Sequence, residues 1–195
     1  MRKICCTIIL SFLGACAIAQ SIAVINGKPV SQKEFLWVYQ KHRPGDGKMS
    51  MPQLMSFLNI YIDFKLKVLD ARASGLDQDS AYVAEVQAYE KAFLAAKPTS
   101  VPTTDYPLVI NEYKEALLLF NISEKKIWNI MEDSEADIHN YYSAHSTEYN
   151  DQPYEDVKSE VAASYQKQLE RGWVTGLRNK YTVTIDQKTL AKLIR

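Results

Sequence analysis

A four-residue segment, 150–153 (Asn-Asp-Gln-Pro), constrains the fold more than any other part of the chain. An amphipathic pattern over 134–149 precedes it, and a longer one over 154–181 follows it. Each pattern predicts a helix, because apolar residues recur at steps of three and four. Helices joined by so short a loop must turn back on each other. The sequence therefore predicts a helical hairpin whose second arm is a long C-terminal helix.

Two capping boxes begin helices nearer the N-terminus. Ser31 with Glu34, and Ser50 with Gln53, have the spacing in which each side chain accepts a hydrogen bond from an orphan amide of the first turn. The second of these helices runs to Gly75, a residue that commonly ends helices because it adopts positive φ without strain. It carries two apolar stripes, so we expect partners on two of its sides. This pattern predicts the central helix of the fold.

A short β-prone segment lies near each end of the predicted helical region. Residues 22–25 are apolar and precede an Asn-Gly turn signal, and residues 181–185 alternate apolar residues with threonine. We expect the two segments to pair, which gives a mainly α fold with a small two-stranded β pairing of the termini. We predict one helical domain over 20–195, with a loop over 98–111 and a short helix that begins at Ser123.

The N-terminus has the composition of an export signal. Arg2 and Lys3 precede an apolar run over 4–15 that is too short to span a bilayer. One interpretation places cleavage after Ala19, at a small-x-small motif, so that 1–19 is removed. The other places it before Cys16, at a lipobox whose cysteine becomes lipidated. Both stay open, and both predict an exported protein, either in the periplasm or anchored as a lipoprotein that faces it.

Charge, cysteine and histidine content argue against several kinds of site. Without Arg2 and Lys3 the chain has 21 basic residues against 23 acidic, whereas nucleic-acid binding needs a basic excess. The three cysteines lie at or before Cys16, so neither a disulfide nor a cysteine-metal site is available to the mature fold. His139 and His145 are six apart, whereas a metal on one helix face needs spacing of three or four. We therefore predict no metal, no cofactor and no nucleic-acid partner.

Aromatic residues are the remaining candidates for function. The chain has 12 Tyr, 6 Phe and 3 Trp. Such residues pack helix cores, and they also suit binding surfaces because they join a large apolar area to a polar tip. Both interpretations stay open. If some aromatic residues line a cradle for extended peptides, our candidates are Trp37, Tyr61, Phe64 and Tyr89.

Several segments, taken in order, resemble those of SurA-like chaperones, which belong to the parvulin-type (PpiC) secreted peptidyl-prolyl isomerases. The strand–turn–helix entry and the central helix resemble theirs, and so do later aromatic segments that cover most of the remaining chain. The segments are 25–31 (INGKPVS), 61–68 (YIDFKLKV), 75–77 (GLD), 113–128, 141–149 and 165–181. The resemblance implies a SurA N-terminal-like helical cradle and a periplasmic chaperone that binds unfolded envelope proteins.

The chain departs from this family where the catalytic domain belongs. The resemblance implies a parvulin domain inserted between the helices, which would take about ninety residues. The turn at 150–153 and the loop at 98–111 are the two insertion points, and neither has room for it. No segment is therefore available to supply catalytic residues, and none is predicted.

We predict a non-catalytic chaperone-like protein that binds unfolded or extended polypeptides of the cell envelope. One alternative is a structural or assembly subunit, lipid-anchored through Cys16, that binds one fixed partner. A second alternative is an enzyme with residual prolyl isomerase activity. A homodimer is also predicted as a candidate state, because a cradle without its inserted domain exposes apolar surface that a second copy would cover.

Overall fold

The computed structural model describes residues 21–42 and 49–194. The predicted signal segment, with its cleavage sites at Cys16 and Ala19, lies outside the described residues. The described chain forms two compact units, residues 21–42 and 49–61 with 182–194, and residues 62–181. The predicted mainly α fold is confirmed.

The first unit contains a three-stranded antiparallel sheet in the order β2-β1-β3. Strand β1 (Ser21–Ile25) passes through Asn26 and Gly27 into β2 (Lys28–Ser31). The two turn residues have φ of 48° and 76°. Positive φ at both positions matches the right-handed twist of the flanking strands, which is why Asn-Gly favours a tight hairpin.

Strand β3 (Val183–Ile185) pairs with the other side of β1, with Ala23 opposite Ile185. This confirms the predicted β pairing between the two ends of the fold. The sheet has a third strand, β2, which the two-stranded prediction did not include. Strand β2 contains Pro29, and its edge position in the sheet is one of the few that proline tolerates. A short run with proline and no apolar alternation carries little strand signal.

Both predicted capping boxes begin helices. The Glu34 amide donates to Ser31 Oγ over 3.1 Å at the start of α1 (Gln32–His42). At the start of α2 (Met51–Ala73), the Ser50 amide donates to Gln53 Oε1 over 3.2 Å. The side chains thereby satisfy amides that have no partner inside the helix.

Phe35 lies at the centre of an aromatic core in the first unit. It is fully buried, and three other rings lie around it with centroids 5.8 to 6.2 Å away. Two of these rings meet Phe35 at steep angles and one stacks on it, and both arrangements add to the gain from burial of apolar area. The three rings are those of Tyr39, Phe57 and Tyr61. A short C-terminal helix, α8 (Gln187–Ala191), contacts β1 and buries Leu190.

The second unit is entirely helical in the residues described. It begins with the remainder of α2 and ends with the long C-terminal helix, which is confirmed. In order, the further elements are a 3-10 turn (Leu76–Gln78), α3 (Ser80–Ala96), a 3-10 turn (Thr103–Asp105), α4 (Tyr106–Ser123), a π-helical turn (Glu124–Trp128), α5 (Asn129–Glu132), α6 (Glu135–His145), a 3-10 turn (Ser146–Tyr149) and α7 (Tyr154–Lys180).

The segment 150–153 is a tight connection between α6 and α7, as predicted. Asn150 and Asp151 both have positive φ, 55° and 52°. Asn and Asp tolerate this region better than most residues. The Asp151 amide donates to the Ser146 carbonyl over 3.1 Å, which closes the turn. The hairpin has its own apolar core, formed by Ile138, Tyr141, Tyr149, Val157 and Val161.

Helix α7 contacts two separate cores of the second unit. Val161 belongs to the hairpin core, whereas Trp173 packs against a cluster formed by α2, α3 and α4. Apolar residues four apart drift around a helix with 3.6 residues per turn, so the stripe winds from one core to the other. The second cluster, here called the central core, comprises Val68, Ala71, Leu76, Tyr82, Val86, Leu118 and Ile122.

Two sequence predictions for the second unit are wrong. The loop predicted over 98–111 is shorter, because α4 begins at Tyr106 with Pro107 in its first turn, where a missing amide costs nothing. The short helix predicted to begin at Ser123 does not begin there. The chain continues from α4 through the π turn into α5 without a break, because no proline or glycine interrupts it.

Truncation of a central-core residue tests this assignment. Leu118 is completely buried, so we expect Leu118→Ala to lower the free energy of unfolding by about 2–5 kcal/mol. Urea denaturation followed by circular dichroism measures the change. Leu94→Ala, at an exposed position on α3, is the matched control and should change stability by less than about 0.5 kcal/mol. Equal effects of the two substitutions would contradict the assignment.

Candidate functional site

One of the four predicted peptide-binding residues is excluded by burial. Tyr61 is 5% exposed, and its ring packs against Phe35. Its hydroxyl donates to Glu34 Oε1 over 2.7 Å. The prediction that Tyr61 lines an open cradle is therefore wrong, because both its apolar face and its polar tip are occupied within the core of the first unit.

Trp37 and Phe64 are half-buried. In the first unit, the Lys41 ammonium lies 5.1 Å from the centroid of the Trp37 ring, at cation–π distance. In the second unit, Phe64 packs against the central core. Phe64 therefore has a packing role, and Trp37 keeps part of its ring accessible on α1.

Tyr89 belongs to an aromatic ladder between α3 and α4. Its ring lies parallel to that of Tyr113, with centroids 3.6 Å apart, and Phe93 and Tyr106 extend the series. The Tyr113 hydroxyl donates to Glu85 Oε1 over 2.7 Å, and this hydrogen bond is the main cause that raises the pKa of Tyr113. Each ring in the ladder contacts another ring and is half-buried, so the ladder chiefly joins the two helices.

A different aromatic pair is exposed on the second unit. Phe120 is 55% exposed and Trp128 is 38% exposed. Their ring centroids are 5.0 Å apart and the rings meet edge to face. We call this pair the Phe120–Trp128 ridge. Large apolar side chains that contact each other in solvent form a continuous surface, which is more informative than isolated exposed residues.

The π turn brings the two rings together. In a regular α-helix, residues eight apart stand about 80° apart around the axis. The Asn129 amide donates to the Glu124 carbonyl, an i to i+5 hydrogen bond that places one extra residue in this turn. Each residue of a helix turns the chain by roughly 100°, so the extra residue cancels most of the offset of about 80°. Trp128 therefore lies close to the row of Phe120. The helical periodicity of the sequence does not indicate this alignment of Phe120 and Trp128.

Ionic contacts to Asp70 connect the π turn with α2 and α7. Asp70 is buried on α2, and the Trp173 indole donates to its Oδ2 over 3.0 Å. The ammonium groups of Lys126, in the π turn, and Lys180, at the end of α7, lie 3.9 and 3.7 Å from its carboxylate oxygens. The pKa of Lys180 is raised, first by its hydrogen bond to the Tyr181 hydroxyl and to a smaller extent by Asp70. The buried carboxylate is thus satisfied from two helices.

A second buried carboxylate, Glu115 on α4, is paired in the same way. Lys65 Nζ lies 2.6 Å from one of its oxygens, and Arg72 contacts the other at 3.4 Å. Both cations are on α2. Removal of one partner of such a pair is costly, because it leaves the other charge buried and unpaired.

Comparisons of the chain with protein-family models, with curated proteins and with solved structures found no match. Across 21–42 and 49–194, no helix is long and apolar enough to cross a membrane. The same residues contain no group of three His, Cys, Asp or Glu side chains arranged to hold a metal ion. The exposed Phe120–Trp128 ridge is therefore the candidate site that the geometry offers.

Substitution of Asp70 tests the network behind the ridge. Asp70→Ala would leave the Trp173 indole and two ammonium groups without this acceptor, so we expect a loss of about 2–4 kcal/mol in the free energy of unfolding. Asp70→Asn keeps an acceptor oxygen and should lose less than half as much. Urea denaturation measures both, with the exposed Glu160→Ala as control. Equal stability of Asp70→Ala and wild type would contradict the network.

Proposed function

We propose that this protein is an exported, non-catalytic chaperone-like protein that binds unfolded or extended polypeptides of the cell envelope. The observation that carries the proposal is the Phe120–Trp128 ridge, a pair of mutually packed aromatic side chains on the surface. The predicted export signal at the N-terminus and the resemblance to SurA-like chaperones give the proposal its cellular setting.

The two aromatic rings of the ridge form an apolar surface of the kind to which non-native polypeptides bind. An unfolded polypeptide exposes apolar side chains, and aromatic residues bury a large apolar area with few rotatable bonds. Trp128 presents its ring next to that of Phe120, so one apolar side chain of a client can contact both. Affinity for any one segment is expected to be modest, because ordering an extended chain offsets much of the gain from burial.

The position of the ridge also suits binding without loss of the fold. Its side chains project from a helix whose opposite side is anchored by the buried residues Leu118, Ile122 and Ile127. Polar substitution of the exposed rings should therefore leave the core intact. This separates binding from stability in an experiment.

The double substitution Phe120→Gln/Trp128→Gln tests the proposal. Gln is a good helix former, so the helix is retained while the apolar surface is lost. We expect the variant to lose the suppression of aggregation that wild type gives to an unfolded outer-membrane protein, measured by light scattering. Binding of a labelled apolar peptide should weaken by roughly tenfold or more, because aromatic truncations at binding surfaces cost about 1–2 kcal/mol each.

The matched control is Leu94→Gln/Val83→Gln, which removes two exposed apolar residues from α3 instead. It should suppress aggregation as well as wild type does. Failure of wild type to suppress aggregation at several-fold molar excess would reject the chaperone proposal. Capture of one stoichiometric partner, rather than many clients, would favour an assembly subunit that uses the same ridge.

The mode of export has its own test at Cys16. If the lipobox is used, metabolic labelling with a fatty acid should mark the wild-type protein and not Cys16→Ser, and only the wild type should fractionate with membranes. If cleavage follows Ala19, neither protein is labelled and both are released with the periplasmic fraction. Retention of the full-length chain in the cytoplasm would contradict export.

A further inference from the structure

The ridge lies on a helical row that also carries carboxylates. Glu124 is four residues after Phe120, and Glu132 is four residues after Trp128. Steps of four turn about 40° around a regular helix, and the extra residue of the π turn between Glu124 and Trp128 brings the later pair back toward the row of the first pair. The row therefore reads aromatic, acidic, aromatic, acidic, and all four of these residues are exposed.

The two carboxylates are available for a partner. Within the described part of the chain, neither Glu124 nor Glu132 has an ion pair with another side chain. The neighbouring cation Lys126 turns toward Asp70 instead. Lys125 directly follows Glu124 in the π turn, so it lies beside the row and not on it.

We infer that the clients of this surface are apolar segments that carry Lys or Arg beside their apolar side chains. The inference rests on the proposed function and narrows it, because the aromatic rings bind apolar groups of any sequence whereas the carboxylates discriminate by charge. A cationic side chain next to a bound apolar residue reaches Glu124 or Glu132, while an acidic one at the same place is repelled. The negative charges of Glu124 and Glu132 therefore favour a client segment that carries Lys or Arg.

The test uses three labelled peptides with one apolar-aromatic centre and flanks of Lys, Gln or Glu. Fluorescence anisotropy with the mature protein measures the Kd of each peptide at low salt and at high salt, about 0.5 M NaCl. We expect the Lys-flanked peptide to bind roughly three- to tenfold more tightly than the Glu-flanked one, as two exposed ion pairs allow. High salt should reduce this ratio toward one, because exposed charges are screened.

The double variant Glu124→Gln/Glu132→Gln should bind all three peptides with nearly the same Kd, close to that of wild type for the Gln-flanked peptide. Its matched control is Glu148→Gln/Glu160→Gln, which changes the net charge equally at two exposed positions elsewhere in the second unit. The control should keep the preference for Lys. Loss of the preference in both variants would show an effect of net charge and overturn the inference.

The outcomes for this inference and for the proposed function are distinct. If wild type binds the Lys- and Glu-flanked peptides equally, the inference is overturned. Binding of the Gln-flanked peptide that Phe120→Gln/Trp128→Gln abolishes would then still support the proposed function. If wild type binds none of the three peptides, the proposed function is rejected and the inference with it.

Discussion

The second unit depends on ion pairs and hydrogen bonds between charged residues of α2 and the helices packed around it. A buried carboxylate or ammonium group is tolerated only when a partner of opposite charge or a hydrogen-bond donor meets it. Asp70 accepts a hydrogen bond from the Trp173 indole of α7. Lys65 and Arg72 form ion pairs with Glu115 of α4. Two further pairs join α2 to α7, Lys67 with Glu170 and Asp63 with Arg178. These contacts fix which residues of the surrounding helices face α2, and hence which are left facing solvent.

The exposed ridge is one consequence of that arrangement. Lys126 lies in the π turn and contacts Asp70, while the next apolar residue, Ile127, is buried. With Ile127 buried, Trp128 is directed to the surface, where it meets Phe120. A π turn is less favourable than an α turn, and it persists where tertiary contacts hold it. In this chain the buried contacts of the π turn and the exposed Phe120–Trp128 ridge lie on opposite sides of the same helical turn.

Local features of the fold could be predicted from the sequence because short-range chemistry decides them. The Asn-Gly hairpin, the capping box at Ser50 and the turn at 150–153 each use groups within a few residues of one another. The third strand and the start of α4 at Tyr106 were missed, because proline is read as a breaker when its position relative to other elements is unknown. Burial of Tyr61 was missed for a similar reason, since an amphipathic pattern does not show which aromatic residue has a partner.

The sequence by itself determined a mainly α protein with a long C-terminal helix, an α-helical hairpin and a β pairing between its ends. Helical periodicity and turn chemistry suffice for this, because they act over spacings that are visible in one dimension. Only the tertiary structure decided which aromatic residues are covered, and that the helix after Phe120 contains a π turn. Exposure depends on partners that are distant in sequence. A one-residue change in helical register becomes stable only when tertiary contacts, such as those that bury Ile127, offset its cost.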